Sequence, residues 1–381
     1  QYACFLAPEM LEALLQAARD ENEDVRSAAA EALGELAKAD NSLVPKALEA
    51  LLKAAGDDHW RARSAAAHAL GELAKVDPSQ ATLEALLKAV GDDDKHVRCT
   101  AAIALVELAK ATRSLAPKAL NALLKAAGDA EYFVREATVS ALGELARAAP
   151  NLASTALEVL LKAVGDSNEW VRKAVPSTLG GIAKAAPSQT PKALEALLKT
   201  AEDANEDVRY AAASALEEFI QTVPKLMPEV RDVLLEAVGD RNTNDRRCAA
   251  VTALGKLVKA APRFVPGVRD VLLKTVGDAS SDVRFAAAGA LGDLVQAAPK
   301  LASEAYNALS KAVEDDDEDV RGAATYALEE LVQTAPKFVP EVREVLLKAA
   351  EDTEYYVREA AVEALKEIER AMNLVSEKKQ E

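Results

Sequence analysis

The chain is short of the residues that carry most protein chemistry. Its 381 residues include three histidines, His59, His68 and His96, and three cysteines, Cys4, Cys99 and Cys248. Three cysteines make no disulfide framework and favour a reducing, intracellular and cytoplasmic setting. Serine and aspartate are plentiful, but without a histidine at a suitable place they make no nucleophilic triad. His96 and Cys99 stand three apart and His68 lies one repeat earlier, yet no fourth ligand completes a metal site. A glycine-rich phosphate loop is also missing. Positive charge is scarce: the formal net charge is −16, against the clustered Lys and Arg that a nucleic-acid backbone needs. No run approaches the roughly 18 consecutive apolar residues of a membrane span. The opening Gln1–Leu6 segment has no basic stretch, is too short for a signal peptide and lacks an initiator Met, so a fragment or processed chain is expected. These absences predict no enzyme, no cofactor, no metal, no nucleic acid and no membrane.

What the chain has is a repeat. A motif of Val-Arg, small residues and Ala-Leu, with substitutions such as Ala62 before Arg63 and Arg246 before Arg247, recurs around Arg26, Arg63, Arg98, Arg135, Arg172, Arg209, Arg247, Arg284, Arg321 and Arg358. Successive spacings are 37, 35, 37, 37, 37, 38, 37, 37 and 37. Each repeat reads as two helices. In the first, Leu48, Leu51, Leu52 and Ala55 fall at i, i+3, i+4 and i+7, one apolar stripe. Prolines such as Pro45, Pro117, Pro191, Pro228, Pro266 and Pro340 sit near its start, where a missing N–H costs nothing. Gly56, Gly91, Gly128, Gly165, Gly239 and Gly277 follow it and are expected to cap it in the left-handed conformation. The second helix starts near the Arg and ends at pairs such as Ala149-Pro150, since a residue before Pro leaves the α region. Alanines after the Arg allow close approach; Leu33 and Leu36 and their counterparts supply core bulk. One hairpin cannot bury both faces, so stacking is obligatory.

The run of turn Asp, Val-Arg, Ala-Ala and Ala-Leu-Gly resembles HEAT repeats, especially the bacterial HEAT-like class, from about residue 8 to 372. The resemblance implies an all-α, right-handed α-solenoid of ten stacked helical hairpins, a HEAT-like, armadillo-type superhelix. It also implies first helices on the convex side, second helices on the concave side, and a polar ladder of the turn residues Asp57, Asp92, Asp129 and Asp166 with the repeated Arg series. One solenoid domain is expected over 1–381. Its repeats are 8–41, 42–78, 79–113, 114–150, 151–187, 188–224, 225–262, 263–299, 300–336 and 337–372, with a charged tail at 373–381.

Positions that vary between copies are free for recognition. They are the third and second residues before the Arg, and the first and fifth after it. Trp60, His96, Tyr132, Phe133 and Trp170 put aromatic or imidazole rings on one turn edge in four successive repeats, where the first and sixth repeats have Glu23, Asp24, Glu206 and Asp207. Exposed aromatic rows mark contact surfaces; the plainer reading is that each ring caps its turn and packs on the next. Tyr355 and Tyr356 repeat the pattern in the last repeat. Tyr210, Phe285 and Tyr326 stand beside the small Ser214, Gly289 and Gly322, a pattern of pockets on the concave wall. His68 is added to this set. Pro176, followed by Gly180 and Gly181, interrupts a second helix and predicts a bend or hinge.

The expected function is a non-catalytic scaffold for a protein or peptide partner. It uses the concave second-helix face and the turn-edge aromatics. The alternative is a structural or regulatory arm of a larger protein, and a third is a designed or recently duplicated array. HEAT-like units also resemble phycobilin lyase subunits, a remote enzymatic alternative that would look to Cys99 and Cys248.

Overall fold

A computed structural model describes residues 2–222, 227–239 and 244–377. No strand occurs among them. The chain is an α-solenoid of ten helical hairpins, and it divides into two compact units, Gln1–Ala193 and Leu194–Glu381. In the first unit the hairpins pair α1 (Tyr2–Ala17) with α2 (Glu23–Ala39), α3 (Val44–Ala54) with α4 (Trp60–Leu73), α5 (Gln80–Ala89) with α6 (Lys95–Ala111), α7 (Ala116–Ala126) with α8 (Tyr132–Ala148), and α9 (Ala153–Ala163) with α10 (Glu169–Ala185). The division falls inside α11 (Thr190–Thr200). The second unit continues with α12 (Glu206–Thr222), α13 (Met227–Gly239), α14 (Asn244–Ala260), α15 (Val265–Thr275), α16 (Ser281–Ala297), α17 (Ala302–Ala312), α18 (Glu318–Thr334), α19 (Val339–Ala349) and α20 (Tyr355–Glu377). The last helix therefore reaches into the segment read as a tail.

Within each unit the second helices pack in series, α2, α4, α6, α8 and α10 in the first and α12, α14, α16, α18 and α20 in the second, and most also lie against their own first helix. The seam is dry. Leu33, Leu70, Leu105, Leu142 and Leu179, seven residues after the arginine, are fully buried in the first unit, as are Leu254, Leu291 and Leu328 in the second. Burying one leucine removes about 2 kcal/mol of apolar exposure. Backbones come close because small residues face each other. A Cβ added to Gly71 would lie 2.7 Å from Ala104 Cβ and 2.9 Å from its Cα.

Several second helices start on capping side chains four residues before the arginine. Asn22 accepts from Asp24 N–H at 2.8 Å, Asp94 from His96 N–H at 2.8 Å and Asn168 from Trp170 N–H at 3.0 Å. After Ala149 the chain leaves the helix and Pro150–Leu152 forms a single 3-10 turn into α9; most other junctions repeat this form.

The glycines after the first helices do not behave as expected from the sequence. No described residue has positive φ. Gly56 N–H instead donates to Lys53 C=O at 3.0 Å and Asp57 N–H to Ala54 C=O at 3.1 Å, so the helix tightens into a right-handed 3-10 end. A Cβ at Gly56 would meet only Lys53 O at 3.5 Å. The end needs no left-handed residue, and Glu202, Glu314 and Glu351 hold the same place in other repeats.

Candidate functional site

The turns between paired helices carry one connector many times over. Arg26 Nε and Nη2 donate to both oxygens of Asp57, at 2.7 and 2.8 Å, while Nη1 donates to the carbonyls of Asp20 and Glu21. Asp57 in turn accepts His59 N–H at 2.9 Å, and its carbonyl accepts Arg63 Nη1. The same bidentate contact joins Arg63 to Asp92, Arg98 to Asp129 and Arg135 to Asp166 in the first unit. In the second it joins Arg247 to Asp278, Arg284 to Asp315 and Arg321 to Asp352. Arg172, Arg209 and Arg358 hold the carbonyls of their own turns. Two parallel charge-assisted bonds fix orientation as well as supplying energy. The Arg98 guanidinium holds the Asp129 carboxyl below the usual carboxylate range.

The turn-edge rings of the first unit split into two groups. Trp60 and His96 stack with centroids 4.8 Å apart, and His96 and Phe133 stack at 5.5 Å. Their faces thus cover each other across three successive hairpins. Tyr132 meets Phe133 edge-on, and Trp170 carries Lys173 Nζ 5.3 Å above its ring. Tyr132 and Trp170 stay exposed. His68 is exposed on α4, apart from this stack. Among the described residues no group of three His, Cys, Asp or Glu is placed to hold a metal, and no helix is long and apolar enough to cross a membrane.

A second set of charges, unnoticed in the sequence, runs along the second helices nine and twelve residues after the arginine. In the first unit Lys38 bridges Glu35 and Glu72, Lys75 bridges Glu72 and Glu107, and Lys110 bridges Glu107 and Glu144. Each lysine at the twelfth position meets the acid at the ninth position of the next hairpin. Hydrogen bonds from Lys38 and Lys75 pull the Glu72 carboxyl down to about 2. The signal was legible as two aligned columns, Glu35, Glu72, Glu107, Glu144 and Lys38, Lys75, Lys110, Arg147. The fifth repeat breaks it: Gly181 replaces the acid, and a Cβ there would lie 3.2 Å from Arg147 Nη1. Pro176 and Gly180 lie with Gly181 in α10, which runs unbroken from Glu169 to Ala185 with all three buried.

In the second unit the columns change content. Lys256 and Lys259 both turn to Asp293, at 3.0 and 2.9 Å, although Asp293 is only 5% exposed. The twelfth position of the next repeat is Gln296 rather than lysine, and Glu330 follows it at the ninth position of α18. Glu330 forms no ion pair among the described residues; burial first, then the Asp293 charge, pushes its carboxyl above the usual range. Glu329 is also raised, by burial and then by Glu367, Glu330 and Glu363.

Around these charges lie two neighbouring cavities. One, of about 420 Å³, is walled by Phe285, Tyr326 and Tyr356 over Gly289 and Gly322, with Asp319 and Glu330 at its lining. The other, of about 430 Å³, joins Tyr210 and Ser214 to Cys248, Thr252 and Phe285. Phe285, Lys256 and Thr252 line both. Tyr210 is 76% exposed, Tyr326 57% and Phe285 49%. Tyr356 donates its hydroxyl to Asp319 at 3.0 Å, which holds the ring against Gly322. A third cavity, of about 410 Å³ in the first unit, is lined by Cys99, Ile103, Phe133 and Glu136. Burial raises the Cys99 thiol, and burial with nearby acids pushes Cys248 up to about 12. Neither thiol is then a thiolate at neutral pH. Cys4 lies where side chains are not described.

Comparison with known proteins agrees with this architecture. The family described as Adaptin N terminal region matches residues 79–298, HEAT repeats match 11–83 and 307–375, and a HEAT-like repeat matches 281–331. No curated protein matches the chain. Among solved structures, Kap121p bound to Nup53p is similar with a TM-score of 0.74 at 16% identity, over 94% of this chain and 45% of that one. A chain of the Kap95p–RanGDP structure gives 0.67 at 17%, over 94% and 50%. Importin beta in an ammonium sulfate condition gives 0.66 at 17%, over 93% and 50%. The chain spans about half the length of these solved chains, and at such identity the likeness is one of fold.

Proposed function

We propose, for a chain that belongs to the HEAT-repeat α-solenoids through the Adaptin N terminal region family, that it is a non-catalytic scaffold binding a protein or peptide partner on its second-helix face. One observation carries the reading: Tyr210, Phe285 and Tyr326 hold large apolar area in water on consecutive walls of two joined cavities. Rings kept exposed beside small residues form sockets, and aromatic side chains dominate the energy of such contacts. The turn-edge rings belong to the same reading with unequal weight. Trp60, His96 and Phe133 spend their faces on each other, so Tyr132 and Trp170 are the more exposed anchors of that edge. The similar Kap121p chains hold Pho4p, Nup53p and Ste12p, which supports a protein as the class of partner. With both described thiols raised and the histidines dispersed, the face offers contacts rather than a reacting group.

A displayed library of random peptides selected on the immobilised chain tests this. Selected peptides should lose at least about tenfold in affinity, or 1.4 kcal/mol, when Tyr210→Ala, Phe285→Ala or Tyr326→Ala is tested by fluorescence anisotropy. Helicity should not change. A library that yields no binder, or binders indifferent to all three substitutions, overturns the reading.

A further inference from the structure

The cavity between α14, α16, α18 and α20 has a charge that its own repeat fails to balance. On α18 one stripe faces it: Asp319, Gly322, Ala323, Tyr326, Ala327 and Glu330, at i, i+3, i+4, i+7, i+8 and i+11. Gly322 leaves room for the Tyr356 ring, and Tyr326 stands between that glycine and Glu330 along the helix. On the facing helix Phe285 is followed a turn later by Gly289, so an open slot runs from the aromatic rings down to the carboxylate.

In the first unit, every acid at Glu330's position beyond the first hairpin is met by a lysine from the preceding hairpin. Glu330 meets Gln296 there instead. The nearest cations, Lys256 and Lys259, form their ion pairs with Asp293 and reach Glu330 only through space, too weakly to offset its burial. Asp319 adds a second negative charge at the rim, and the Tyr356 hydroxyl it accepts brings no positive charge. An anion entering this slot would face both carboxylates. A neutral apolar group would cover Glu330 and deepen its desolvation. A cation would supply the missing counter-charge and present its body to three aromatic faces.

We infer that this cavity is a receptor for one cationic side chain, arginine or lysine, projecting from an extended segment of the partner. The inference rests on the scaffold reading for its occupant and adds the chemistry that the occupant must bring. The guanidinium or ammonium sits between Glu330 and the faces of Phe285, Tyr326 and Tyr356, in the role that Lys75 plays between Glu72 and Glu107. A net charge of −16 draws such a segment toward the chain and makes its capture sensitive to salt.

Fluorescein-labelled Gly-Ser peptides bearing one central arginine, lysine, citrulline or leucine test this by anisotropy on the whole chain. Citrulline keeps the shape of arginine and removes its charge. The arginine peptide should bind at least about tenfold more tightly than the citrulline peptide, and the gap should narrow as salt rises. Glu330→Gln should erase the gap, and so should Gln296→Lys, which places a lysine where the earlier repeats carry one. Glu144→Gln, in the first unit, should leave it intact. Equal binding of the arginine and citrulline peptides overturns the inference, as does a gap that survives Glu330→Gln. If the leucine peptide binds best and Tyr326→Ala weakens it, the cation receptor falls while the scaffold reading stands. If no peptide binds and the random library is also empty, both fall.

Discussion

Glu72 and Glu330 hold the same place in their repeats, nine residues after the arginine, yet their carboxyls move in opposite directions. In the first unit lysines from Lys38 and Lys75 close on Glu72 and bring it down to about 2. In the second, Gln296 stands where a lysine would be, and burial holds Glu330 up. The turn ladder is alike in both units: Arg98 grips Asp129 as Arg321 grips Asp352. The stack and its surface chemistry are thus written at different positions. Repeats can keep the first intact while one column is rewritten from a closed zipper into an open socket.

The largest effect that would sharpen this contrast lies at the glycines eight residues after the arginine. Gly71→Ala forces a methyl against the backbone of Ala104 and should cost about 2 kcal/mol by overpacking. Gly292→Ala meets first the Glu330 carboxylate, a side-chain end that can swing away. With about 1 kcal/mol of helix propensity gained, Gly292→Ala should be close to neutral. Thermal and urea unfolding would compare the two, and equal losses would mean that the seams are equally tight.

Next in size is a pair of opposite signs. Glu72→Gln removes a carboxylate bonded by two lysines and should cost about 1 kcal/mol, read locally by hydrogen exchange in α4. Glu330→Gln removes an unbalanced carboxylate and should stabilise α18 by a few tenths of a kcal/mol, within the range of surface substitutions. A loss at both sites would break the comparison.

The pH dependence carries the same signs. Glu72 is depressed in the folded chain, so its contribution is complete above the unfolded value near 4.5 and disappears as pH falls toward about 2. Glu330 is raised, so the folded state holds that proton more firmly. Its carboxylate weakens the fold at neutral pH, and the penalty fades as pH falls through its raised value. Carbon-13 titration of the two carboxyls should find one below and the other above the ordinary glutamate value. The smallest effect is Gln296→Lys, worth about 0.2 kcal/mol as a new exposed ion pair; it should move the Glu330 carboxyl downward in the same titration.

The parts of this arrangement that repeat were legible in the sequence. The arginine spacing gives the hairpins, and the buried Leu70, Leu105 and Leu142 follow from it by counting. Tyr210, Phe285 and Tyr326 stood out because small residues one turn away left them space, and all three line the cavities. Two things were hidden for physical reasons. Tyr355 and Tyr356 are neighbours in sequence but point about 100° apart on a helix, so the sequence could not say that Tyr356 turns to Asp319 and the cavity. The glycines after the first helices looked like left-handed caps because that is the commonest use of glycine there. A 3-10 end satisfies the same carbonyls in right-handed geometry, a choice made by hydrogen-bond closure rather than by residue type.

The turn connector has a consequence for how such a chain changes over generations. Arg98 reaches Asp129 across the same 31 positions by which Arg135 reaches Asp166. Excising residues 99–135 would leave Arg98 facing Asp166 at the distance in sequence it already uses, and the joint would heal without a new partner. Joints that share this reach are interchangeable couplings, so a gene can lengthen or shorten the array by whole repeats while leaving the sockets on the surviving hairpins untouched.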